Sequence, residues 1–446
     1  MKNARVALVL FATTALALPA QTITTLHSFD GTDGAAPDAA LVQAANGDGY
    51  GTTALGGDFN SGAVFRTTPG GSLQTLYSFC AQSGCPDGAY PQAALVQGKN
   101  GDLYGATEYG GANNASGCNT GGSFTGCGTI FKMTPNGKLT TLYSFCSQSG
   151  CADGQSPQYG LVQAANGDLY GTTSYGGANC AYPCGGTIFK ITPAGSLTTL
   201  YSFCAAGVFP GCTDGENPAG GLAQGANGDF YGTTVYGGAH VGGTVFKITG
   251  SGKLTTLYTF CAQGGSACGS GLHPYSGLVR AANGDFYGTT ANGGSGSAAC
   301  VSASESAGCG TIFKITPSGT LSTIYRFCAE SGCLDGLFPS AGLIQATDGN
   351  FYGSTSEGGA NNACTPFYAC GTIFKITPGA ALTTLYNFCS RVDCADGSLP
   401  NTALAQFTNG DFYGTTVAGG VFGDGTLFSL SVGLGPSVQT EALRAR

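Results

Sequence analysis

Short runs of alternating apolar and hydroxyl-bearing residues fill the chain from about residue 22 to residue 431, and glycine-rich breaks separate them. Leu169-Tyr170-Gly171-Thr172-Thr173, Thr187-Ile188-Phe189-Lys190-Ile191-Thr192 and Leu197 to Phe203 are examples. Such alternation, rich in Thr, Ile, Val, Phe and Tyr, belongs to half-buried β-strands. The breaks are turn signals: Asn166-Gly167-Asp168 is a two-residue hairpin type, and Pro193 to Gly195 is a Pro-x-Gly turn. One unit therefore predicts four strands. An apolar run of the type Gly160 to Gln163 comes first, then the Asn-Gly-Asp turn and Leu169 to Thr173. A Gly-Gly pair opens a variable loop, Thr187 to Thr192 follows, and the Pro-x-Gly turn leads to Leu197 to Phe203. A loop with Asp153, Gly154 and Pro157 leads into the next unit.

The unit repeats. Tyr50-Gly51-Thr52-Thr53 recurs with its tyrosine at 104, 170, 231, 287, 352 and 413, on average about 60 residues apart. Gly-Thr-Ile-Phe-Lys-Ile-Thr-Pro is complete at Gly186–Pro193, Gly310–Pro317 and Gly371–Pro378, with variants from Gly62, Gly128, Gly243 and Gly425. Leu-Thr-Thr-Leu-Tyr-Ser-Phe runs from Leu139 and Leu197, with variants from Ile23, Leu73, Leu254, Leu321 and Leu382. Each element occurs seven times, and four antiparallel strands repeated four to eight times describe a β-propeller. The chain opens with a fourth-type strand, Ile23 to Phe29, and closes with a third-type strand, Gly425 to Leu430. The expected fold is thus all-β: a seven-bladed propeller of four-stranded blades, its ring closed by the N-terminal strand completing the last blade. The rival is an open β-solenoid, which needs no complementary ends.

Lys2 and Arg5, an apolar run from Val6 to Leu18 and small residues ending at Pro19-Ala20 follow the order of a secretory signal peptide. The run falls short of the about 20 residues that span a bilayer. Cleavage is expected near Ala20 or after Ala17, with a retained N-terminal anchor as the alternative. The expected division is 1–20 signal peptide, 21–431 propeller and 432–446 tail. No later segment is apolar enough to cross a membrane.

Cysteine usage agrees with export to an extracellular or periplasmic space. The 20 cysteines fall as close pairs with none left over: Cys80/Cys85, Cys118/Cys127, Cys146/Cys151, Cys180/Cys184, Cys204/Cys212, Cys261/Cys268, Cys300/Cys309, Cys328/Cys333, Cys364/Cys370 and Cys389/Cys394. Local disulfides are expected. Zinc would need pairs converging on one ion, with only His27, His240 and His273 to help. Pairing between neighbouring loops is a further alternative. The 78 glycines lack a Gly-X-Y period, which removes collagen, and the net charge of −8 argues against a nucleic-acid partner. No cofactor is expected.

These elements resemble the tandem repeats of the bacterial choice-of-anchor GloVer-containing family. The matching features are the Leu-Tyr-Ser-Phe strand, the Asp-Gly-x-x-Pro loop, Asn-Gly-Asp-x-Tyr-Gly-Thr-Thr, the Gly-Gly pair and Gly-Thr-Ile-Phe-Lys, over roughly Ile23 to Leu430. The resemblance implies an exported repeat protein with no established activity. It also implies a C-terminal anchoring signal, and Ser431 to Arg446 has no apolar segment, so release is the expectation.

Strand order sends the loops after the second and fourth strands to one face of the ring. They are long, variable and carry every cysteine, so function is expected there. Tyr109, Tyr175 and Tyr236 precede the Gly-Gly pair in consecutive repeats and suit stacking on sugar rings, or packing against the next blade. Asp87, Asp153, Asp214, Asp335 and Asp396 suit turn capping, with calcium as the alternative. Glu108, Glu216, Glu330, Glu357, Asp58, His240 and His273 break the repeat and are the candidate acids and bases, both histidines being expected as exposed loop residues. The leading reading is a binding or interaction module, for a polysaccharide or a protein. A carbohydrate-active hydrolase or lyase is the alternative, and a structural or adhesive surface protein is a third.

Overall fold

The computed structural model describes residues 21–114, 118, 125–179, 185–205, 211–262, 268–294, 308–361 and 370–436. The signal-peptide reading of 1–20 and most of the C-terminal tail lie outside the described residues. Seven four-stranded antiparallel sheets form the blades, and the described residues contain only short 3₁₀ turns as helix, such as Ser149–Cys151. Blade three is typical: Val162–Gln163 innermost, then Leu169–Thr173, Thr187–Ile191 and Leu197–Ser202.

The turns form as their residues dictate. Asn166 Oδ1 accepts the Asp168 amide at 3.1 Å, and Gly167, with φ +90°, takes the left-handed corner. At the other hairpin Gly195 N donates to Thr192 O at 2.9 Å. The ring closes through the chain ends. Thr22–Ser28 pairs with Thr426–Ser431, which completes blade seven as its outermost strand.

Neighbouring blades share cores of aromatic rings. Tyr170 stacks on Phe230 of the next blade with centroids 4.1 Å apart, and Phe145 meets Phe189 edge-on at 5.3 Å. The tyrosine of each Tyr-Gly-Thr-Thr unit is therefore an inter-blade residue. Gly171 within that unit has no room for a side chain, since a Cβ would lie 2.7 Å from the Phe189 ring.

A second joint explains the recurring glycine and proline. The glycine that opens Gly-Thr-Ile-Phe has a positive φ, +97° at Gly310, and an added Cβ there would lie 2.4 Å from Cδ of Pro339 in the next blade. The residue before each proline is also left-handed, although none is glycine: Ala36, Tyr90, Ser156, Asn217, His273, Phe338 and Leu399. Its amide reaches the preceding blade, as Phe338 N to Cys309 O at 2.9 Å, and its carbonyl accepts from its own second strand, as Ser356 N at 3.1 Å. At the turn face, glutamines of the innermost strands repeat the stitch. Gln163 Oε1 accepts the Lys99 amide at 2.9 Å, and Gln43 Oε1 accepts the Thr408 amide across the closing seam at 2.9 Å.

Candidate functional site

The innermost strands enter the channel from the loop face, directly after each proline. A cavity of about 450 Å³ opens there. The residues following six of the prolines line it: Asp38, Gln92, Gln158, Tyr275, Ser340 and Asn401. In blade four the wall is Gly220 and Gly221. Two places beyond, every blade carries Ala or Gly, and the strands crowd together. A Cβ at Gly277 would sit 2.5 Å from the Gly221 carbonyl. The polar ring therefore stands above a floor of small residues.

Two hydrogen-bonded groups hold the wall. Asn401 Nδ2 donates to Asp38 Oδ1 at 3.1 Å, while the Ser340 hydroxyl donates to Asn401 Oδ1. Across blades two and three, Gln158 Nε2 donates to Glu108 Oε1 at 2.6 Å, and Gln158 Oε1 accepts from the Ser174 hydroxyl at 3.1 Å. Burial pushes the Asp38 carboxyl up to about 6, opposed by the Asn401 hydrogen bond. Burial also raises Glu108, opposed by hydrogen bonds from Gln158 and Tyr109. Burial raises Tyr90, opposed by a hydrogen bond with Gln92, and raises Tyr159, reinforced by Tyr175; the carboxylates of Glu108 and Asp38 add smaller upward pushes to both.

The three predicted tyrosines are each half-buried, and none is among the residues that line the cavity. Tyr109 lies beside Tyr90, with centroids 5.8 Å apart. Tyr175 is close enough to Tyr159 to influence its titration. Tyr236 packs edge-on against His273 of the next blade at 5.1 Å, and its hydroxyl is 3.4 Å from that of Tyr275. Tyr236 thus contacts the next blade, whereas Tyr109 and Tyr175 neighbour a tyrosine of their own blade, Tyr90 and Tyr159.

His273 departs from expectation: it is buried, because it is the left-handed residue that joins blades, and its Nδ1 is 3.3 Å from Asn292 Oδ1. His240, Asp58 and Glu330 are exposed. Glu216 and Glu357 are raised by burial, Glu216 also by Asp214. The acidic loop residues act as struts. Asp153, fully buried, accepts from the Tyr143 hydroxyl at 2.8 Å and from the Ser147 amide and hydroxyl at 3.0 Å. Asp87, Asp214, Asp335 and Asp396 each accept a tyrosine hydroxyl in the same way.

Disulfides join Cys80–Cys85, Cys118–Cys127, Cys146–Cys151, Cys204–Cys212, Cys261–Cys268, Cys328–Cys333 and Cys389–Cys394. In these seven the pairing is within each loop, as the spacing suggested. Cys309 and Cys370 are buried and disulfide-bonded as well. The expected partner of each, Cys300 for Cys309 and Cys364 for Cys370, lies outside the described residues, and so do both members of the expected pair Cys180 and Cys184. The pairings Cys300/Cys309, Cys364/Cys370 and Cys180/Cys184 therefore stand as sequence expectations. The sulfurs of Cys118, Cys127, Cys146 and Cys151 lie within 4.8 Å of one another, two stacked disulfides from the two loops of one blade.

Sequence reasoning missed Asp38, Gln92, Gln158, Tyr159, Ser340 and Asn401. The signal was present. The residue after each recurring proline reads Asp38, Gln92, Gln158, Ala219, Tyr275, Ser340 and Asn401, a varied position inside a uniform unit.

Among curated proteins, none matches the chain in sequence. Solved structures resemble it in fold. The extracellular domain of a candidate hybrid two-component system from Bacteroides thetaiotaomicron superposes with a TM-score of 0.53 at 12% identity, over 94% of this chain and 44% of that one. A polysaccharide lyase of family PL25, an ulvan lyase, superposes with a TM-score of 0.51 at 10% identity, over 89% of this chain and 93% of that one. At such identities the likeness shows the fold alone. A model of the Gloeobacter/Verrucomicrobia repeat matches residues 10–118, 115–301 and 270–441. The chain belongs to the Gloeobacter/Verrucomicrobia repeat family.

Proposed function

We propose that the protein is an exported binding module that holds a polysaccharide at the loop-face mouth of its channel. The observation that carries this reading is the make-up of that mouth. Tyr159 and Tyr275 line it together with the amide and hydroxyl side chains of Gln92, Gln158, Ser340 and Asn401, and Tyr175 and Tyr236 lie next to those two tyrosines. Aromatic faces pack on the apolar C–H patches of sugars, and amides pair with their hydroxyls. The local disulfides and the basic, apolar, small-residue order at the N-terminus support export. Among the described residues no helix is long and apolar enough to cross a membrane. The test is retention of the protein on insoluble polysaccharides and cell-wall preparations. Retention that weakens roughly tenfold or more in Tyr109→Ala, Tyr175→Ala or Tyr236→Ala is expected. Retention by none of them, or unchanged retention of all three variants, overturns the proposal.

A second reading, a hydrolase or lyase, draws on one observation: Asp38 lines the cavity and Glu108 bonds the lining Gln158, and burial raises both, Asp38 to about 6. Such groups suit proton transfer near neutral pH. Release of soluble fragments in the retention tubes, lost in Asp38→Asn or Glu108→Gln, would put this reading first.

A further inference from the structure

The charge on the cavity wall narrows what the mouth accepts. Asp38 lines the cavity, Glu108 hydrogen-bonds the lining Gln158 from behind, and among the described residues no Lys, Arg or His lines it. Elsewhere, lysine and arginine side chains pair with aspartates of the turn face, as Lys190 with Asp168 at 3.9 Å and Arg66 with Asp48 at 3.8 Å. An anionic polymer would meet repulsion with nothing to offset it.

Asp38 is also incompletely satisfied. Asn401 supplies one hydrogen bond to Oδ1, and Oδ2 has no protein donor among the described residues. A carboxylate half-withdrawn from water, as Asp38 is, gains from a cation or a further donor. The neighbouring strand offers one amide and no cation. The Tyr159 hydroxyl nearby makes no hydrogen bond to the described residues, and it sits in the field of both carboxyls. Asp38 and Tyr159 line the same cavity with Tyr275, and a carboxylate oxygen of the one and the hydroxyl of the other have no hydrogen-bond partner among the described residues. A ligand that brings an ammonium group on a sugar ring completes both.

We infer that the mouth is selective for amine-bearing saccharides, glucosamine units with a free amino group, whose ammonium pairs with Asp38 while Tyr159 and Gln158 hydrogen-bond ring hydroxyls. The inference rests on the polysaccharide reading above and goes further by naming the sugar class and the residue that selects it. N-acetylation removes the charge and leaves the ring unchanged, so the two sugars differ at the atom the inference concerns.

The full mature chain is tested with three soluble probes at pH 7 and 0.15 M salt: glucosamine tetramer, N-acetylglucosamine tetramer and galacturonate tetramer. The amine tetramer is expected to bind roughly tenfold or more tightly than the acetylated one, the share of affinity a charge-assisted hydrogen bond supplies, and the galacturonate weakest. Asp38→Asn should abolish the preference, since it keeps the Asn401 contact and loses the charge. Asp58→Asn removes the same charge from an exposed position on the same face and should leave the preference intact. Equal binding of the amine and acetylated tetramers overturns this inference and leaves the polysaccharide reading standing. A preference that survives Asp38→Asn, or falls equally in Asp58→Asn, shows attraction to the overall negative charge and overturns the assignment to Asp38. Binding of none of the three overturns this inference, while the polysaccharide reading stands or falls on the retention panel.

Discussion

Single side chains divide into those that repeat and those that do not. The repeating Asp–Tyr strut is structural. Asp153→Ala leaves Tyr143 and the Ser147 amide without their buried acceptor, and should lower unfolding stability by roughly 1–3 kcal/mol in urea titrations. A loss near zero would mean that water takes the place of the carboxylate. Asp38 is the non-repeating counterpart. Its folded pKa, about 6, exceeds the ordinary 3.8, so the folded protein binds the proton more tightly than the unfolded chain. Stability from this group is full below about pH 4 and is lost as the pH rises through 6. Asp38→Asn should therefore match the parent at pH 4 and exceed it at pH 7, on the order of 2 kcal/mol once the solvent reaching its exposed edge is allowed for. Melting curves at the two pH values read the difference, and a constant offset would contradict the burial argument.

Strands and turns were the most legible part of the molecule. Period-two alternation, the Asn-Gly-Asp turns and the Pro-x-Gly turns placed the strands of blade three to within a residue or two. The complementary ends also announced the seam, and Thr22–Ser28 does pair with Thr426–Ser431. Deleting residues 21–30 should lower the melting midpoint by about 10 °C or more, because a whole outer strand and the cover over Leu427 and Phe428 are removed. An unchanged melting curve would contradict closure by this strand. What the sequence left hidden was inter-blade contact. The glycine of Gly-Thr-Ile-Phe and the proline of Asp-Gly-x-x-Pro look like separate turn residues, yet they meet across blades, as at Gly310 and Pro339. His273 looked like a loop residue for the same reason, since its amide and carbonyl serve two different strands.

At the scale of the whole ring, seven similar blades bring one position of the repeat to a common axis, so small chemical differences between units collect into one site. Tyr109, Tyr175 and Tyr236 could be picked from the sequence because they stand out in a loop. Asp38, Gln158 and Asn401 stand at a varied position that the sequence shows, but the residue after a proline gains meaning only when the channel gathers its seven versions. Glu108 was visible as an exception, but its partner Gln158 lies 50 positions away. The local disulfides contribute order to the loop face more than global stability. The pair Cys146–Cys151 closes so short a loop that the entropy model gives it at most about 2 kcal/mol. The central claim, that the ligand site is the loop-face mouth, is tested most directly by hydrogen–deuterium exchange of the full mature chain with and without a saturating retained oligosaccharide. The account predicts slowed exchange in the segments that follow the prolines, residues 38–41, 92–95, 158–161 and 401–404, with the Asn-Gly-Asp turns unchanged. Protection confined to those turns, or to the outermost strands, would contradict it.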